Sequence, residues 1–300
     1  MNRLELLCAA LETMEYRRNV SMAELTTFRV GGPADVVVWP QTIQQVHKAL
    51  AACKRLELPF TVIGNGSNLL VRDGGIRGMV LCIGPNLSQI KQDGNVWRVG
   101  AGCSLTALAR QTVEAGCMGL EWACGIPGTL GGACAMNAGA YGGEMKQVLK
   151  AVTVLEGDQV VRLFVQEEDL GYRTSAFCAP ARIVLEAELI LKADDGGAAK
   201  RMEEYLSRRR EKQPLRYPSA GSTFKRPQGY FAGQLIQQAG MKGVSLGGAQ
   251  VSELHAGFII NRGQATAQDV IGLIQQVKEA VFRTSGVMLE CEVKIIGEDA

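Results

Sequence analysis

The sequence lacks the residue clusters that mark metal-binding and disulfide-rich proteins. It contains only two histidines, and its nine cysteines are scattered without one Cys-x-x-Cys pair. A structural zinc site needs Cys and His ligands grouped at short spacings, so none is expected. An odd number of dispersed cysteines is typical of reduced thiols that pack in the core of an intracellular protein.

An excess of charge of one sign and long apolar runs are also missing. The 32 basic residues nearly balance the 30 acidic ones, so no overall field would attract nucleic acid or an anionic membrane. Apolar stretches are interrupted within a few residues, well short of the roughly 20 that cross a bilayer. The first 18 residues carry three glutamates and do not resemble a signal peptide. We therefore expect a cytoplasmic protein without membrane or nucleic-acid partners.

The hydrophobic pattern predicts a mixture of helices and strands. Thr42 and Ser104 are each placed to cap an amphipathic helix, and Thr266 with Asp269 resembles a capping box before a long helix that ends near residue 283. The strands do not alternate regularly with helices, which favours an α+β fold over a doubly wound sheet. Alternating and β-branched runs predict strands at 35–39, 60–63, 79–83, 96–99, 148–156, 160–165 and 181–191.

A change of composition follows the last of these strands. A short Ala-Asp-Asp-Gly-Gly segment lies just after Leu191, and a charged helical stretch then runs to Arg210. Small, flexible residues between two periodic regions are typical of a domain boundary. We predict a larger domain over 1–195 and a smaller α/β domain over 196–300.

The 36 glycines are concentrated in clusters that would let backbone amides approach an anion closely. Gly100-Ala101-Gly102 partly resembles a dinucleotide-binding turn, but Leu105 stands where the third glycine is required. No Gly-Lys-Ser or Gly-Lys-Thr of a Walker A loop occurs. The run at 125–143 is more specific, because scattered glycines would suffice for turns alone.

This run is one of several motifs that follow one another along the chain. They are 26–35 (TTFRVGGPAD), 64–70 (GNGSNLL), 125–143 (GIPGTLGGACAMNAGAYGG), 172–175 (YRTS), 218–225 (PSAGSTFK), 255–261 (HAGFIIN) and 289–293 (LECEV). In this order and spacing they resemble the UDP-N-acetylenolpyruvoylglucosamine reductases over essentially the whole chain.

The resemblance implies a fold, a reaction and a set of ligands. The fold would combine a vanillyl-alcohol-oxidase-type FAD-binding domain, 1–195, with a C-terminal substrate domain, 196–300. The first domain would have two lobes, approximately 1–78 and 79–195. The reaction would be the NADPH-dependent reduction of UDP-N-acetyl-enolpyruvoylglucosamine to UDP-N-acetylmuramate, a peptidoglycan precursor. FAD would be bound non-covalently, the partner would be a small-molecule UDP-sugar, and we expect a monomer.

Two departures from parts of the family are visible. Only 48 residues separate Arg173 from Ser222, too few for the substrate-covering loop and its tyrosine that the longer subclass carries. The chain therefore resembles the shorter, type II form. Arg226 follows Lys225 where many relatives have Asn, so this chain has an arginine in place of any asparagine contact at that point.

The resemblance assigns three catalytic residues, Arg173, Ser222 and Glu292. Hydride delivered to the terminal alkene carbon pushes negative charge toward the substrate carboxylate, so the site must stabilise an enolate-like species. Arg173 suits this charge because its guanidinium is planar and permanently cationic, and Ser222 would then donate the proton. A flavin supplies the hydride chemistry, which explains why no catalytic histidine is needed. His255 is assigned to structural hydrogen bonding.

The same resemblance, together with the glycine clusters, identifies candidate ligand contacts. The backbone amides of 65–68 and 128–132 would hold the FAD diphosphate. Substrate contacts are expected from Lys225, Arg226 and Tyr172, with solvated surface charge as an equal alternative for each basic residue. The full set of expected cofactor-binding residues is Arg29, Gly64, Asn65, Gly66, Ser67, Asn68, Leu69, Gly125, Ile126, Pro127, Gly128, Thr129, Gly131, Gly132, Asn137, Ala138 and Gly139.

Other interpretations remain open from the residues alone. The chain could be an oxidase of the same flavin superfamily, or a nucleotide-binding sensor that has lost its chemistry. The motifs around Ser222 and Glu292 argue against both. Cys134 could be a redox or flavin-linked thiol, but an inert, packed thiol is favoured.

Glu292 poses an electrostatic problem, because an ionised carboxylate would repel an enolate. We therefore predict that Glu292 is protonated or hydrogen-bonded in the substrate complex. Titration of the complex would test this, and a Glu292 pKa well below neutrality would contradict it.

Overall fold

The computed structural model describes residues 2–178 and 182–300, which form a mixture of helices and strands. The α-helices of this part of the chain are α1 (Arg3–Ala10), α2 (Ile43–Leu56), α3 (Leu105–Glu114), α4 (Leu130–Met136), α5 (Ala198–Lys212), α6 (Ala232–Gln238) and α7 (Ala267–Ser285). Its strands are β1 (Glu15–Ser21), β2 (Pro33–Trp39), β3 (Phe60–Ile63), β4 (Leu69–Val71), β5 (Ile76–Cys82), β6 (Ile90–Asp93), β7 (Val96–Gly100), β8 (Cys117–Met118), β9 (Gly139–Ala140), β10 (Gly143–Glu144), β11 (Leu149–Glu156), β12 (Gln159–Phe164), β13 (Leu170–Gly171), β14 (Thr174–Ser175), β15 (Arg182–Ile190), β16 (Lys192–Ala193), β17 (Ser245–Leu246), β18 (Ala249–Val251), β19 (Ile259–Asn261) and β20 (Lys294–Ile296).

The chain divides into two compact units. Unit 1 comprises 1–17, 36–65 and 79–209, and unit 2 comprises 18–35, 66–78 and 210–300. Each unit has a hydrophobic core of its own. This division places two N-terminal segments with the C-terminal part of the chain, whereas the predicted domains are continuous in sequence. The predicted limits, 1–195 with lobes at 1–78 and 79–195 and then 196–300, concern ligand binding and stay a prediction.

Unit 1 contains a five-stranded antiparallel sheet of order β12-β11-β15-β7-β6. Its central strand β15 alternates little between buried and exposed residues, as a strand covered on both faces does. Strands β3 and β5 pair in parallel in a separate sheet. Helix α2 begins at the Thr42 cap, whose hydroxyl accepts from the Gln45 amide, and it buries Val46, Ala49 and Cys53.

Unit 2 is built around α7 and the three-stranded antiparallel sheet β17-β18-β19. Val270, Ile274, Val277 and Val281 form the predicted buried stripe of this helix. Strand β4 pairs in parallel with β20, so Leu69 lies opposite Lys294. This short pair brings a segment near residue 70 beside one near residue 295.

The longer predicted elements are confirmed. The seven predicted strands correspond to β2, β3, β5, β7, β11, β12 and β15, with ends that differ by at most three residues; residue 181, where the last was expected to begin, lies outside the described residues. The caps at Thr42, Ser104 and Thr266 are present. Sequence reasoning missed β1, β6, α1, α6, the glycine-containing α4 and the strands of two or three residues. Most of these elements are too short for a periodic signal.

The cysteines behave as expected from their distribution. All nine are free thiols and seven of them are buried. Burial raises the pKa of the Cys134 thiol to about 12, which makes it inert and supports the packing interpretation.

Among the described residues, no three His, Cys, Asp or Glu side chains group as a metal site would require. No described helix is both long and apolar enough to span a membrane.

One aspartate outside helix α7 holds its first turn. Asp73 accepts from the amides of Ala267 and Gln268 at 2.8 and 2.9 Å, through separate carboxylate oxygens. We expect Asp73→Ala to lower the free energy of unfolding by about 1–2 kcal/mol, because it removes a cap and a negative charge from the helix N-terminus. Asp73→Asn keeps one acceptor and should lose less. Denaturant titration measures both, and equal stability of Asp73→Ala and the wild type would contradict the prediction.

Candidate active site

The glycine-rich run of unit 1 contains the N-terminus of helix α4. The Thr129 hydroxyl caps the helix by accepting from the Gly132 amide at 3.4 Å. The amides of Leu130 and Gly131 donate to the carbonyls of Cys103 and Ala101, at 2.8 Å each. Three of the five amides at 128–132 are therefore engaged within the protein, and the predicted diphosphate contact of this stretch stays a prediction.

A second glycine cluster lies directly against this run. A Cβ at Gly64 would stand 2.2 Å from the Thr129 hydroxyl, so only glycine allows this approach. The Asn65 side-chain amide donates to the Pro127 carbonyl at 3.1 Å, across 62 residues of sequence. Two of the predicted FAD-binding loops thus meet in unit 1. Their close backbone approach fits a group whose diphosphate is held by main-chain amides.

Asn137 ends helix α4 in the left-handed region, with φ +42°. Its side chain is buried, and it donates to the Glu144 carboxylate at 3.1 Å and to the Gly171 carbonyl at 2.9 Å, while its oxygen accepts from the Lys146 amide at 3.0 Å. These bonds fasten the glycine run to the β13–β14 hairpin. They argue for a structural role of this side chain, and its direct contact with FAD stays a prediction.

Arg173 occupies the turn of that hairpin, also with a positive φ of +56°. Its guanidinium donates to the Gly139 carbonyl at 2.9 Å and lies 5.1 Å from the ring centre of the exposed Tyr172. The Ser175 hydroxyl ties the hairpin to Ala135 in α4. The predicted catalytic arginine is therefore held beside the predicted cofactor residues 137–139.

The other two predicted catalytic residues are brought together in unit 2. Phe224 pairs with Cys291 in an antiparallel bridge, and the Glu292 amide donates to the Thr223 carbonyl at 2.9 Å. Ser222 is therefore adjacent to a residue bonded to Glu292. Ser222 is exposed and Glu292 is half-buried, so both positions are accessible enough to meet a ligand.

The second half of the 64–70 motif joins the same cluster. The Asn68 side-chain amide donates to the Glu292 carbonyl at 3.1 Å, and the Lys294 amide donates to the Asn68 carbonyl at 2.9 Å. The Thr27 amide donates to the Gly66 carbonyl at 3.3 Å. A Cβ at Gly66 would meet the Leu25 carbonyl at 2.2 Å. Unit 2 thus assembles four of the motifs that are distant in sequence.

The predicted substrate-binding cations of unit 2 follow Ser222. The Lys225 ammonium pairs with the exposed Glu290 carboxylate at 3.0 Å. The Arg226 guanidinium stacks over the Phe231 ring at 4.0 Å from its centre. Gly229, with φ +77°, occupies the turn that returns the chain to Phe231, which stays 57% exposed. This arginine is held against an aromatic ring at the surface of unit 2 by a cation–π contact.

Arg29 is an exposed side chain on a constrained backbone. Its φ is +53°, and the Asn261 side-chain amide donates to its carbonyl at 3.3 Å. His255 has the structural role that was expected, because its Nδ1 accepts from the Gly257 amide at 3.1 Å and burial lowers its pKa.

Sequence reasoning missed Arg209, which lies against the glycine run of unit 1. Its side chain occupies the space that a Cβ on Gly125 would need, and burial lowers the pKa of its guanidinium. One turn earlier in α5, Tyr205 stacks on Tyr141 with ring centres 4.6 Å apart. The sequence had indicated only that Arg209 belongs to the charged helical stretch that runs to Arg210. The i, i+4 spacing of Tyr205 and Arg209 was the available signal.

Comparison with known proteins agrees with this arrangement. Residues 34–163 match the family model described as "FAD binding domain", and residues 213–296 match "UDP-N-acetylenolpyruvoylglucosamine reductase, C-terminal domain". The chain is 50% identical to the UDP-N-acetylenolpyruvoylglucosamine reductase of Alkaliphilus oremlandii over 93% of its length and 92% of that relative. It is 48% identical to that of Geobacillus thermodenitrificans over 94% and 93%.

A solved structure is also similar. The crystal structure of the Thermus caldophilus UDP-N-acetylenolpyruvylglucosamine reductase superposes with a TM-score of 0.82 at 37% identity, covering 94% of this chain and 99% of the other. The expected architecture, an FAD-binding domain followed by a C-terminal domain of this reductase type, is confirmed by these matches.

The contact between Gly64 and Thr129 makes a prediction about cofactor retention. Gly64→Ala places a methyl group against a β-branched side chain, which forces shifts that cost about 1–3 kcal/mol and separate the two loops. We expect this variant to lose FAD during gel filtration that the wild type survives. The matched control is Gly84→Ala, whose Cβ meets nothing within 4 Å. Full FAD occupancy in Gly64→Ala would contradict the assignment of these loops.

Proposed function

Because the chain belongs to the UDP-N-acetylenolpyruvoylglucosamine reductase family, we propose a distinct role in its reaction for each of Arg173, Ser222 and Glu292. The protein is an oxidoreductase that reduces UDP-N-acetylenolpyruvoylglucosamine in peptidoglycan precursor synthesis, with FAD and NADPH. The observation that supports the proposed roles most directly is the backbone pairing that brings the Ser222 segment beside Glu292.

The reaction adds two electrons and two hydrogens across the enolpyruvyl double bond. When bound and reduced by NADPH, FAD would supply the hydride that the terminal alkene carbon accepts. The pair of alkene electrons moves to the adjacent carbon and into the carboxylate as an enolate-like charge. A proton must then reach that adjacent carbon to complete the saturated product. The protein has to supply the proton and stabilise the charge.

Arg173 stabilises the developing charge in this proposal. Its guanidinium carries several N–H donors in one plane, and the bond to the Gly139 carbonyl holds the group beside residues 137–139. Anchoring at that atom orients the group while the cation faces a substrate carboxylate. The positive φ of Arg173 fixes where the side chain leaves the hairpin turn.

Ser222 donates the proton. Its loop contains Gly221, with φ +75° and open space around the position of a Cβ, so substrate could approach the backbone closely. A weakly acidic hydroxyl is sufficient because an enolate-like carbon is strongly basic. Glu292 assists as a donor toward the enolate in its protonated form, in which it adds no second negative charge.

Lys225 and Arg226 bind phosphate groups of the nucleotide ligands. They follow Ser222 by three and four residues, and Arg226 is already oriented by Phe231. The family's order of binding, NADPH first and sugar nucleotide second, would use the same cations for both ligands, with Tyr172 as a further substrate contact. The protein would act as a monomer in the cytoplasm, where NADPH and nucleotide sugars are available.

The proposed proton donor is tested by separating the two half-reactions. Ser222→Ala should leave reduction of FAD by NADPH nearly intact, because no substrate proton is needed at that stage. Reoxidation by the enolpyruvyl substrate should fall by about 100- to 10,000-fold, the usual contribution of a general acid. Stopped-flow absorbance of the flavin measures both rates.

The matched control is Ser219→Ala, in the same loop, which should reoxidise like the wild type. Equal slowing of both half-reactions in Ser222→Ala, or mainly a lower melting temperature, would assign Ser222 a structural role and require another proton donor.

A further inference from the structure

The backbone of Glu292 is held on both of its sides by segments distant in sequence. Its N–H donates to the Thr223 carbonyl at 2.9 Å, next to Ser222. Its carbonyl accepts from the side-chain amide of Asn68 at 3.1 Å, across 224 residues of sequence. Strand β20 begins only two residues later, so these bonds fix the backbone where the Glu292 side chain emerges.

Asn68 forms hydrogen bonds to two residues, one just before strand β20 and one at its start. Besides its side-chain bond to Glu292, its own carbonyl accepts from the Lys294 amide at 2.9 Å. The β4–β20 pair then continues the contact with Leu69 opposite Lys294. A strand pair of three residues is weakly held by itself, so a shift of Asn68 would move the residues on either side of Val293 together.

We propose that Asn68 is a positioning residue for Glu292 and that it links the glycine loop at 64–68 to the reduction of the substrate. The inference rests on the proposed role of Glu292. The hydrogen bond from the Asn68 side-chain amide holds the Glu292 backbone in place, and with it the start of the glutamate side chain. This role of the side chain is additional to any contact that the Asn68 backbone makes with the cofactor.

A neighbouring asparagine allows a matched comparison. Asn65 and Asn68 lie in the same loop, and each donates from its side-chain amide to a backbone carbonyl at 3.1 Å. The acceptor for Asn65 is Pro127 of the glycine run, whereas the acceptor for Asn68 is Glu292. The two bonds are chemically alike, so different effects of their loss report what each acceptor does.

The experiment compares Asn68→Ala and Asn65→Ala in both half-reactions at saturating FAD. We expect Asn68→Ala to keep near-normal reduction by NADPH and to lose on the order of tenfold in reoxidation by substrate, the effect of about one hydrogen bond on a reacting group. Asn65→Ala should weaken FAD retention more than Asn68→Ala does, because its bond reaches the glycine run of unit 1. The control for unchanged reoxidation is Asn86→Ala, an exposed asparagine outside the site motifs. Asn68→Asp, which keeps the shape and removes the amide donor, serves if the alanine variant folds poorly.

A double-mutant cycle separates positioning from general stability. If Asn68 acts through Glu292, then Asn68→Ala should have little further effect on reoxidation in a Glu292→Gln background. Additive losses, equal slowing of both half-reactions, or unchanged reoxidation in Asn68→Ala and Asn68→Asp would overturn the inference. Absence of substrate-dependent reoxidation in the wild type would overturn the proposed function as well, so the two failures are distinguishable.

Discussion

The cluster in unit 2 depends on the hydrogen bonds of one residue's backbone. Glu292 donates to Thr223 and accepts from Asn68, so a single peptide segment joins the serine loop to the glycine loop. Buried or half-buried backbone groups must find partners, and here the partners come from segments more than 60 and more than 200 residues away. The requirement to satisfy these groups thus also sets the position of the proposed catalytic side chains.

In unit 1 the predicted cofactor loops are instead held together by close packing of backbone segments at glycine residues. Gly64 touches Thr129, and Gly131 leaves room for Ala101, in each case because no side chain intervenes. The same approach consumes amides that the glycine pattern had suggested for anion binding, since Leu130 and Gly131 donate to backbone carbonyls of the facing segment. Glycine in such a run therefore serves packing as much as ligand access. The two uses can be separated only when the neighbouring backbone is known.

Long periodic elements were predictable because their signals are local. The α7 stripe and its capping box, the α2 cap and the strands of the five-stranded sheet follow from the spacing of apolar residues within one element. The motifs indicated Arg173, Ser222 and Glu292 through their resemblance to the family, and the chain's membership of that family is confirmed. The motifs gave no information on the distances between these three residues. Arg209 was hidden, because a helical arginine looks the same in sequence whether it is solvated or packed against a glycine.

The sequence by itself determined the fold class, the family and the residue types available for chemistry. Helix periodicity, caps and short motifs each involve residues that are close together along the chain, and the order of the motifs can be read directly from it. Only the tertiary structure decided which backbone amides of the glycine run donate to other backbone groups. It also decided that the Asn137 side chain bonds to Glu144 and Gly171, and that the Asn68 side chain bonds to Glu292. The physical reason is that a hydrogen bond depends on distance and direction between atoms. The partner of Asn68 lies 224 residues away, and no local pattern specifies that pairing.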